Sequence, residues 1–217
     1  MAHVFIAGGT GYMGQRLIAR LLERGHRVRA LARAGSEKRL PSGCGIVSGT
    51  PLDPSTFADQ VAPADTYVHL VGVAHPSPSK AAEFQAIDLK SIEVAVPAAV
   101  AAKVKHFVYV SVAHPAPMMK AYIEVRARGE ELLRESGLNA TFLRPWYVLG
   151  PGHRWPYLLK PVYFVCEHIA STRDGARRLG LVTLPQMVAA LTQAVEHPAS
   201  GVRTVEVPEI KQSELRS

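Results

Sequence analysis

The stretch VFIAGGTGYMGQRLIARLLERG, Val4 to Gly25, decides the fold. Val4 to Ala7 is an apolar run of strand length that ends on glycines, and from Gln15 to Arg24 the residues Leu17, Ile18, Leu21 and Leu22 recur on one helical face. Gly25 closes that helix. The turn between them, AGGTGYMG, holds GxGxxG at Gly9, Gly11 and Gly14 and also GxxGxxG at Gly8, Gly11 and Gly14. Glycines there leave the backbone bare, so that a pyrophosphate can approach the unpaired N–H groups at the helix start. In this strand, turn, helix context the string predicts a dinucleotide site and not merely a glycine-rich turn.

Working outward, the same alternation continues. Strands are expected at Val28 to Ala32, around Ile46 to Ser48, at Thr66 to Gly72, Phe107 to Val112 and Ala140 to Arg144. Between them, Asp53-Pro54 opens a short helix through Val61, a helix from about Phe84 to Ala102 is kinked at Pro97, and Lys120 to Ser136 forms another, stopped by Gly137. Short strands alternating with helices imply a parallel sheet covered on both faces, a doubly wound α/β architecture with ligands at the carboxyl ends of the strands. Beyond Pro145 the chain turns rich in Pro, Trp and Tyr and then basic, before a helix from Thr183 to His197 and a last strand at Val202 to Val207. The division expected is a dinucleotide-binding core over 1–145 and a small substrate-side lobe over 146–217, in one continuous domain.

Composition narrows the function. With 47% hydrophobic and 20% charged residues among 217, the chain can build a core and is not disordered. No apolar run spans a bilayer, because Trp155 to Ala170 is broken by Pro156, Lys160, Pro161 and Glu167. The N-terminus lacks a basic signal-peptide region, so a cytoplasmic location is expected. Cys44 and Cys166 stand far apart and read as free thiols, and nine histidines show no metal-ligand spacing, so no metal is expected.

The net charge of +7 could serve nucleic acid or a smaller anion. Six basic residues, Arg24, Arg27, Arg29, Arg33, Lys38 and Arg39, cluster without interleaved aromatics, which favours a local phosphate site over a nucleic acid. The end of the second strand specifies which phosphate. An acid there would bind the ribose 2′-hydroxyl of NAD, but the residue is Arg33 and the first acid is Glu37. Arg33 suits a 2′-phosphate, so NADP is expected over NAD.

Several motifs in order, AGGTGYMG, HLVG at His69 to Gly72, FVYVSV at Phe107 to Val112, AYIEVRARGEELLRESGL and FLRPWYVLGPG, resemble the atypical and extended short-chain dehydrogenase/reductases, in particular NmrA-like NAD(P)H-binding proteins. The resemblance covers nearly the whole chain. It implies a Rossmann-like fold, with Thr10, Gly11, Tyr12, Met13 and Gly14 around the phosphates, Leu70, Val71 and Gly72 beside the riboses, and Pro145, Trp146 and Tyr147 beside the nicotinamide. Thr50 stands where many relatives carry an aspartate facing adenine.

Catalysis in that family uses a Tyr four residues before a Lys, with a Ser at the end of the fifth strand. Ser111 and Tyr122 match, but position 126 is Arg. Positions i and i+4 share one helical face, so a cation there can favour the phenolate and hold the ribose. Arg126 supplies charge and donors in a planar fork instead of a compact ammonium. Asp88, near a position where relatives place a useful Asn, is assigned no role. His75 reaches the cofactor edge of the sheet, though as a loop residue before Pro76. Met118, Met119, Trp146, Trp155, Tyr157, Tyr163 and Phe164 are candidates for an apolar substrate pocket, and Arg173, Arg177 and Arg178 for an anionic substrate, each against an ordinary packing or surface role.

Two functions follow: an NADP-dependent oxidoreductase acting on a carbonyl or alcohol through Ser111, Tyr122 and Arg126, or a non-catalytic NADP(H)-binding redox sensor or partner subunit. A small-molecule substrate is expected, with no nucleic acid or membrane partner, and a homodimer or partner protein is left open.

Overall fold

A computed structural model describes residues 1–116, 118–150 and 179–214. Seven parallel strands form one sheet: β1 His3–Ala7, β2 Arg27–Ala32, β3 Gly45–Ser48, β4 Thr66–His69, β5 His106–Val110, β6 Ala140–Arg144 and β9 Val202–Glu206. Their order is β3-β2-β1-β4-β5-β6-β9. The chain reverses direction of travel between β1 and β4, and the crevice at such a switch point is where doubly wound sheets hold ligands. A separate pair, β7 Tyr147–Leu149 and β8 Leu181–Thr183, is also parallel. Among the described residues no helix is long and apolar enough to cross a membrane.

The strand side chains alternate between two cores, as a pleat requires. On one face Phe5, Tyr67 and Phe107 stack across β1, β4 and β5 with ring centroids 5.2 and 4.8 Å apart, covered by Ile92, Ala95 and Ala99 of helix α2, Lys90–Ala101. On the other, Val4, Ile6, Val68 and Val108 meet Leu17, Ile18 and Leu21 of α1, Tyr12–Glu23. Helix α3, Lys120–Glu135, sends Val125 and Leu133 inward, and its Leu133 joins the first core.

Several expected boundaries shift for local reasons. The helix anticipated after Asp53 is two single turns, Pro54–Thr56 and Ala58–Gln60, split at Phe57, whose ψ of −16° and φ of −151° are not helical. Asp53 still caps the first, accepting from Ser55 N at 3.0 Å. The helix expected from Phe84 starts earlier, with an α-helical turn at Ala81–Glu83, passes through a π-helical turn, Phe84–Leu89, and continues as α2 through exposed Pro97. Strands β4 and β5 end at His69 and Val110, earlier than expected, and the residues beyond them leave the ladder.

The described C-terminal elements pack against the sheet. Helix α4, Leu184–Glu196, buries Met187, Leu191 and Ala194 in the same core as Leu17 and Leu21 of α1, and β9 pairs with β6 along five residues. Strand β9 is thus the edge of the main sheet and α4 packs on it, followed by α5, Val207–Ser213, whose Ile210 joins that core. Trp155, Tyr157, Tyr163, Phe164, Cys166, Arg173, Arg177 and Arg178 lie outside the described residues.

Two core histidines make the fold sensitive to acid. His69 and His106 are both wholly buried, with Nε2 near Ser91 Oγ at 3.1 Å and Thr141 Oγ1 at 2.9 Å, respectively. Burial pushes the His69 imidazole down to about 3 and the His106 imidazole down to about 4. In the unfolded chain both titrate near ~6.5. Below that pH the unfolded state gains protons that the folded state refuses, so stability is full above it and falls with acidification. Each unit of this gap costs about 1.4 kcal/mol, hence about 2 kcal/mol per histidine and about 4 kcal/mol together at pH 5. Urea titrations at pH 7.5 and 5.0 should show that loss, and His106→Gln should remove about half of it. An unchanged unfolding free energy would refute the assignment.

Candidate functional site: a cleft at the carboxyl edge of the sheet

The glycine turn forms as its sequence demands. Gly8 has φ +87°, and a Cβ on it would stand 2.8 Å from the Leu70 carbonyl carbon, so only glycine fits beside the end of β4. A Cβ on Gly14 would lie 2.5 Å from Gly8 O and 2.7 Å from Gly9 Cα, so the first turn of α1 packs on the loop without a side chain. Gly11 differs. It caps α1 in extended backbone with no side-chain cap, and a Cβ there would approach only Gly8 O, at 3.3 Å. The helix N-terminus therefore opens onto unfilled space, bordered by no acidic side chain in the first turn. That cradle fits a pyrophosphate.

One cleft gathers most of the expected residues: Gly8, Gly11, Tyr12, Met13 and Gly14 from the turn, Leu70 and Gly72 after β4, Ser111 after β5, Tyr122 and Arg126 from α3, and Pro145 after β6. His75 and Trp146 also line it. Thr10, Val71 and Arg33 do not. Thr10 turns its carbonyl to Gln15 Nε2 at 2.9 Å, and Val71 is buried with its carbonyl 3.2 Å from Arg126 Nη2. Arg33 is exposed at the carboxyl end of β2. The basic cluster around it is divided: Arg24 is bound to Glu196, Arg29 donates to the Gln60 and Ala62 carbonyls, and Arg27 sits at the opposite end of β2. Exposed Met118 does not line the cleft.

Ser111 is 2% exposed, and its Oγ has no hydrogen-bond partner among the described residues. Its hydroxyl nonetheless helps to keep the Glu130 carboxylate charged. Burial works against the Glu130 charge, but Arg144 holds it below the usual carboxylate range through contacts of 2.8 and 2.5 Å. A buried hydroxyl left without a partner costs free energy and calls for an explanation. Tyr122 is half-buried, with its ring 5.0 Å from that of Phe84.

Arg126 occupies a place that its sequence position does not suggest. It is 4% exposed, and Nη2 donates to Asp88 Oδ1 at 2.6 Å and to Val71 O at 3.2 Å, while Nη1 donates to Val110 O at 3.0 Å. Its guanidinium carbon lies 5.2 Å from the centre of the Tyr122 ring. Burial opposes the charge, but the Tyr122 and Tyr109 phenols and the Asp88 carboxylate outweigh it and raise the guanidinium pKa. Burial raises Asp88 as well, with Arg126 pulling the other way; the guanidinium cannot give up its proton, so the pair is ionic. Three of the donors of Arg126 are thus committed to the protein, while its Nε has no hydrogen-bond partner among the described residues and the side chain lines the cleft. Nothing in the local sequence marks Asp88 as its partner.

Other expectations are located simply. Cys44 is a half-buried thiol, pushed up to about 11 by burial. Thr50 is tied to Thr56, whose Oγ1 accepts from its N at 3.0 Å. No group of three or more His, Cys, Asp or Glu among the described residues is arranged to hold a metal.

Comparison with known proteins places the chain in a family. The chain is 26% identical over 168 residues to the 4-hydroxy-2-methyl-3-oxo-4-farnesyl-3,4-dihydroquinoline-1-oxide ketoreductase of Stigmatella aurantiaca, across 67% of this chain and 50% of that protein. It is 26% identical over 149 residues to the Photosystem II assembly factor Ycf39 of Cyanophora paradoxa, across 65% of this chain and 44% of that protein. The chain thus spans about half the length of the curated relatives it matches. The crystal structure of the Bordetella bronchiseptica enzyme WbmH in complex with NAD+ superposes with a TM-score of 0.71 at 21% identity, over 95% of this chain and 75% of that one, a likeness of fold. The model of the NAD(P)H-binding family matches residues 8–154, which include the glycine turn, Ser111, Tyr122 and Pro145, and the chain belongs to that family.

Proposed function

We propose that the protein is an NADP-dependent oxidoreductase acting on a carbonyl or alcohol. The observation that carries this reading is the meeting of the unpartnered Ser111 hydroxyl and the Tyr122 phenol in the same cleft as the bare helix N-terminus. A nicotinamide cofactor, when bound, supplies hydride chemistry. The chain's own part is to bind and to move a proton. The glycine turn holds phosphates, Ser111 donates a hydrogen bond to the substrate oxygen, and Tyr122 gives that oxygen a proton as negative charge develops on it. The similarity to a protein named as a ketoreductase supports the carbonyl class. Wild-type protein should oxidise NADPH in the presence of some member of a panel of aldehydes, ketones and quinones; tight NADPH binding with no turnover on any class would defeat the enzymatic reading.

Cofactor choice is a separate expectation. Arg33 is exposed at the end of β2, where it can make charge-assisted contacts to a 2′-phosphate worth about 1.5 to 3 kcal/mol. Calorimetric titration should therefore find NADP bound about 10- to 100-fold tighter than NAD, with the difference lost in Arg33→Ala. Equal affinities in wild type would sink it.

A second reading has its own support. Arg126 spends three of its donors on Asp88 and two carbonyls, and one similar protein is named as an assembly factor, so an NADP(H)-reading partner subunit fits the same cleft. The turnover experiment separates the two.

A further inference from the structure

We infer that Asp88 is a positioning residue: its buried ion pair with Arg126, delivered by the π-helical turn, sets the place of Tyr122 in the cleft. This deepens the reading of Tyr122 as proton donor and rests on it.

The geometry is a double match between two helical surfaces. Tyr122 and Arg126 are four residues apart on α3, and Phe84 and Asp88 are four apart on the turn Phe84–Leu89. Phe84 meets Tyr122 at 5.0 Å between rings, and Asp88 meets Arg126 at 2.6 Å. π-Helical turns are rare and concentrate at functional sites. Here the wider turn presents an apolar contact to the phenol ring and a charged contact to the cation beside it.

The same pair fastens the strand ends that frame the cleft. Arg126 holds the carbonyls of Val71, beyond β4, and of Val110, at the end of β5, while the second oxygen of Asp88 accepts from Val73 N at 3.0 Å. Gly72, between Val71 and Val73, has no room for a Cβ because Arg126 Nη2 fills that space. One ion pair thus joins α3, the π-helical turn and the two strand ends. The guanidinium stacks against Tyr122 on this fixed frame.

Packing alone does not require charge at this point. Asp88 and Arg126 side chains are 1% and 5% exposed, and at such burial an apolar pair of similar volume often stabilises a fold as well or better. What an apolar pair cannot do is bind two carbonyls and an amide at once. Nor can a lysine ammonium reproduce the planar fork.

The test labels the protein with 3-fluorotyrosine, assigns the Tyr122 fluorine resonance with Tyr122→Phe, and compares wild type with Asp88→Asn, Arg126→Lys and the apolar double variant Asp88→Leu/Arg126→Met. Circular dichroism checks folding, fluorescence titration gives NADPH affinity, and turnover is split into kcat and KM. The expected result is a shifted Tyr122 resonance in each folded variant, NADPH affinity within about threefold, and kcat lower by about 10²-fold with KM little changed, as for a misplaced reacting group. A folded double variant with an unmoved Tyr122 resonance overturns the proposal. So does loss of NADPH binding with Tyr122 in place, which would make the pair part of the cofactor pocket, and so does failure of all three to fold, which would make it a folding element. If wild type turns over no substrate, the reading of Tyr122 as acid fails, while the resonance still decides the pair.

Discussion

Tyr122→Phe is expected to lower carbonyl-dependent NADPH oxidation by about 10²- to 10⁴-fold, the usual contribution of a positioned general acid, while NADPH affinity stays nearly constant. The substitution is clean because of what surrounds the ring. Phenylalanine keeps the contact with Phe84 and the face toward Arg126, so the hydroxyl alone is lost. Ser111→Ala offers an independent arm. Its Oγ has no hydrogen-bond partner among the described residues, Glu130 keeps its Arg144 contacts without it, and a fall in kcat with unchanged thermal stability would locate its role at the substrate. Steady-state rates on the best substrate of the panel are the measurement. Full activity of Tyr122→Phe would remove the proton-donor assignment and leave NADP(H) reading as the function.

The parts of this site written locally in the chain were the legible ones. Val4 to Gly25 states its strand, turn and helix through apolar spacing and glycines, and the structure places β1, the turn and α1 there. Ser111 and Tyr122 could be named because each sits at a fixed offset from a strand end or a helix start. Arg126 is visible in the sequence as a residue, but its ion pair is not: its partner Asp88 is 38 positions away, and apolar periodicity does not report a π-helical turn that brings the two together. The single signal available was an acid in the apolar context of Phe84 to Ile92, which asks for a buried partner.

The C-terminal elements show the same limit at larger scale. The helix near Thr183 and the strand near Val202 were readable from periodicity and from the Thr183 and Gln186 capping pair now seen in the structure. The strand counts as the seventh and last of the sheet, but its neighbour is not written locally. The Pro- and Trp-rich stretch before them reads as a change of unit, yet β9 returns to lie beside β6, and Met187 and Leu191 complete the core under α1. Long-range pairing is set by which apolar faces remain uncovered, a property of the assembled sheet.

The glycines of the turn should separate binding from folding. Gly11→Val is expected to weaken NADPH by more than about 100-fold, because the space above Gly11 is what lets phosphate oxygens reach the amides at the start of α1. The backbone itself accepts a side chain, since Gly11 has φ −74° and ψ 165°, extended backbone open to any residue, and the close contact, Gly8 O at 3.3 Å from the new Cβ, asks the loop to give by a few tenths of an ångström. Exchanging a glycine cap for valine costs the helix only about 1 kcal/mol. Gly14→Ala should behave in the opposite way. Its Cβ would press on Gly8 O and Gly9 Cα, both backbone, so the turn and α1 must part and stability falls before binding can be assayed. Thermal melts and NADPH fluorescence titrations on the two variants give the comparison. If Gly11→Val melts like wild type and binds NADPH with unchanged affinity, the phosphates do not sit at this helix, and the cleft loses its claim to the cofactor.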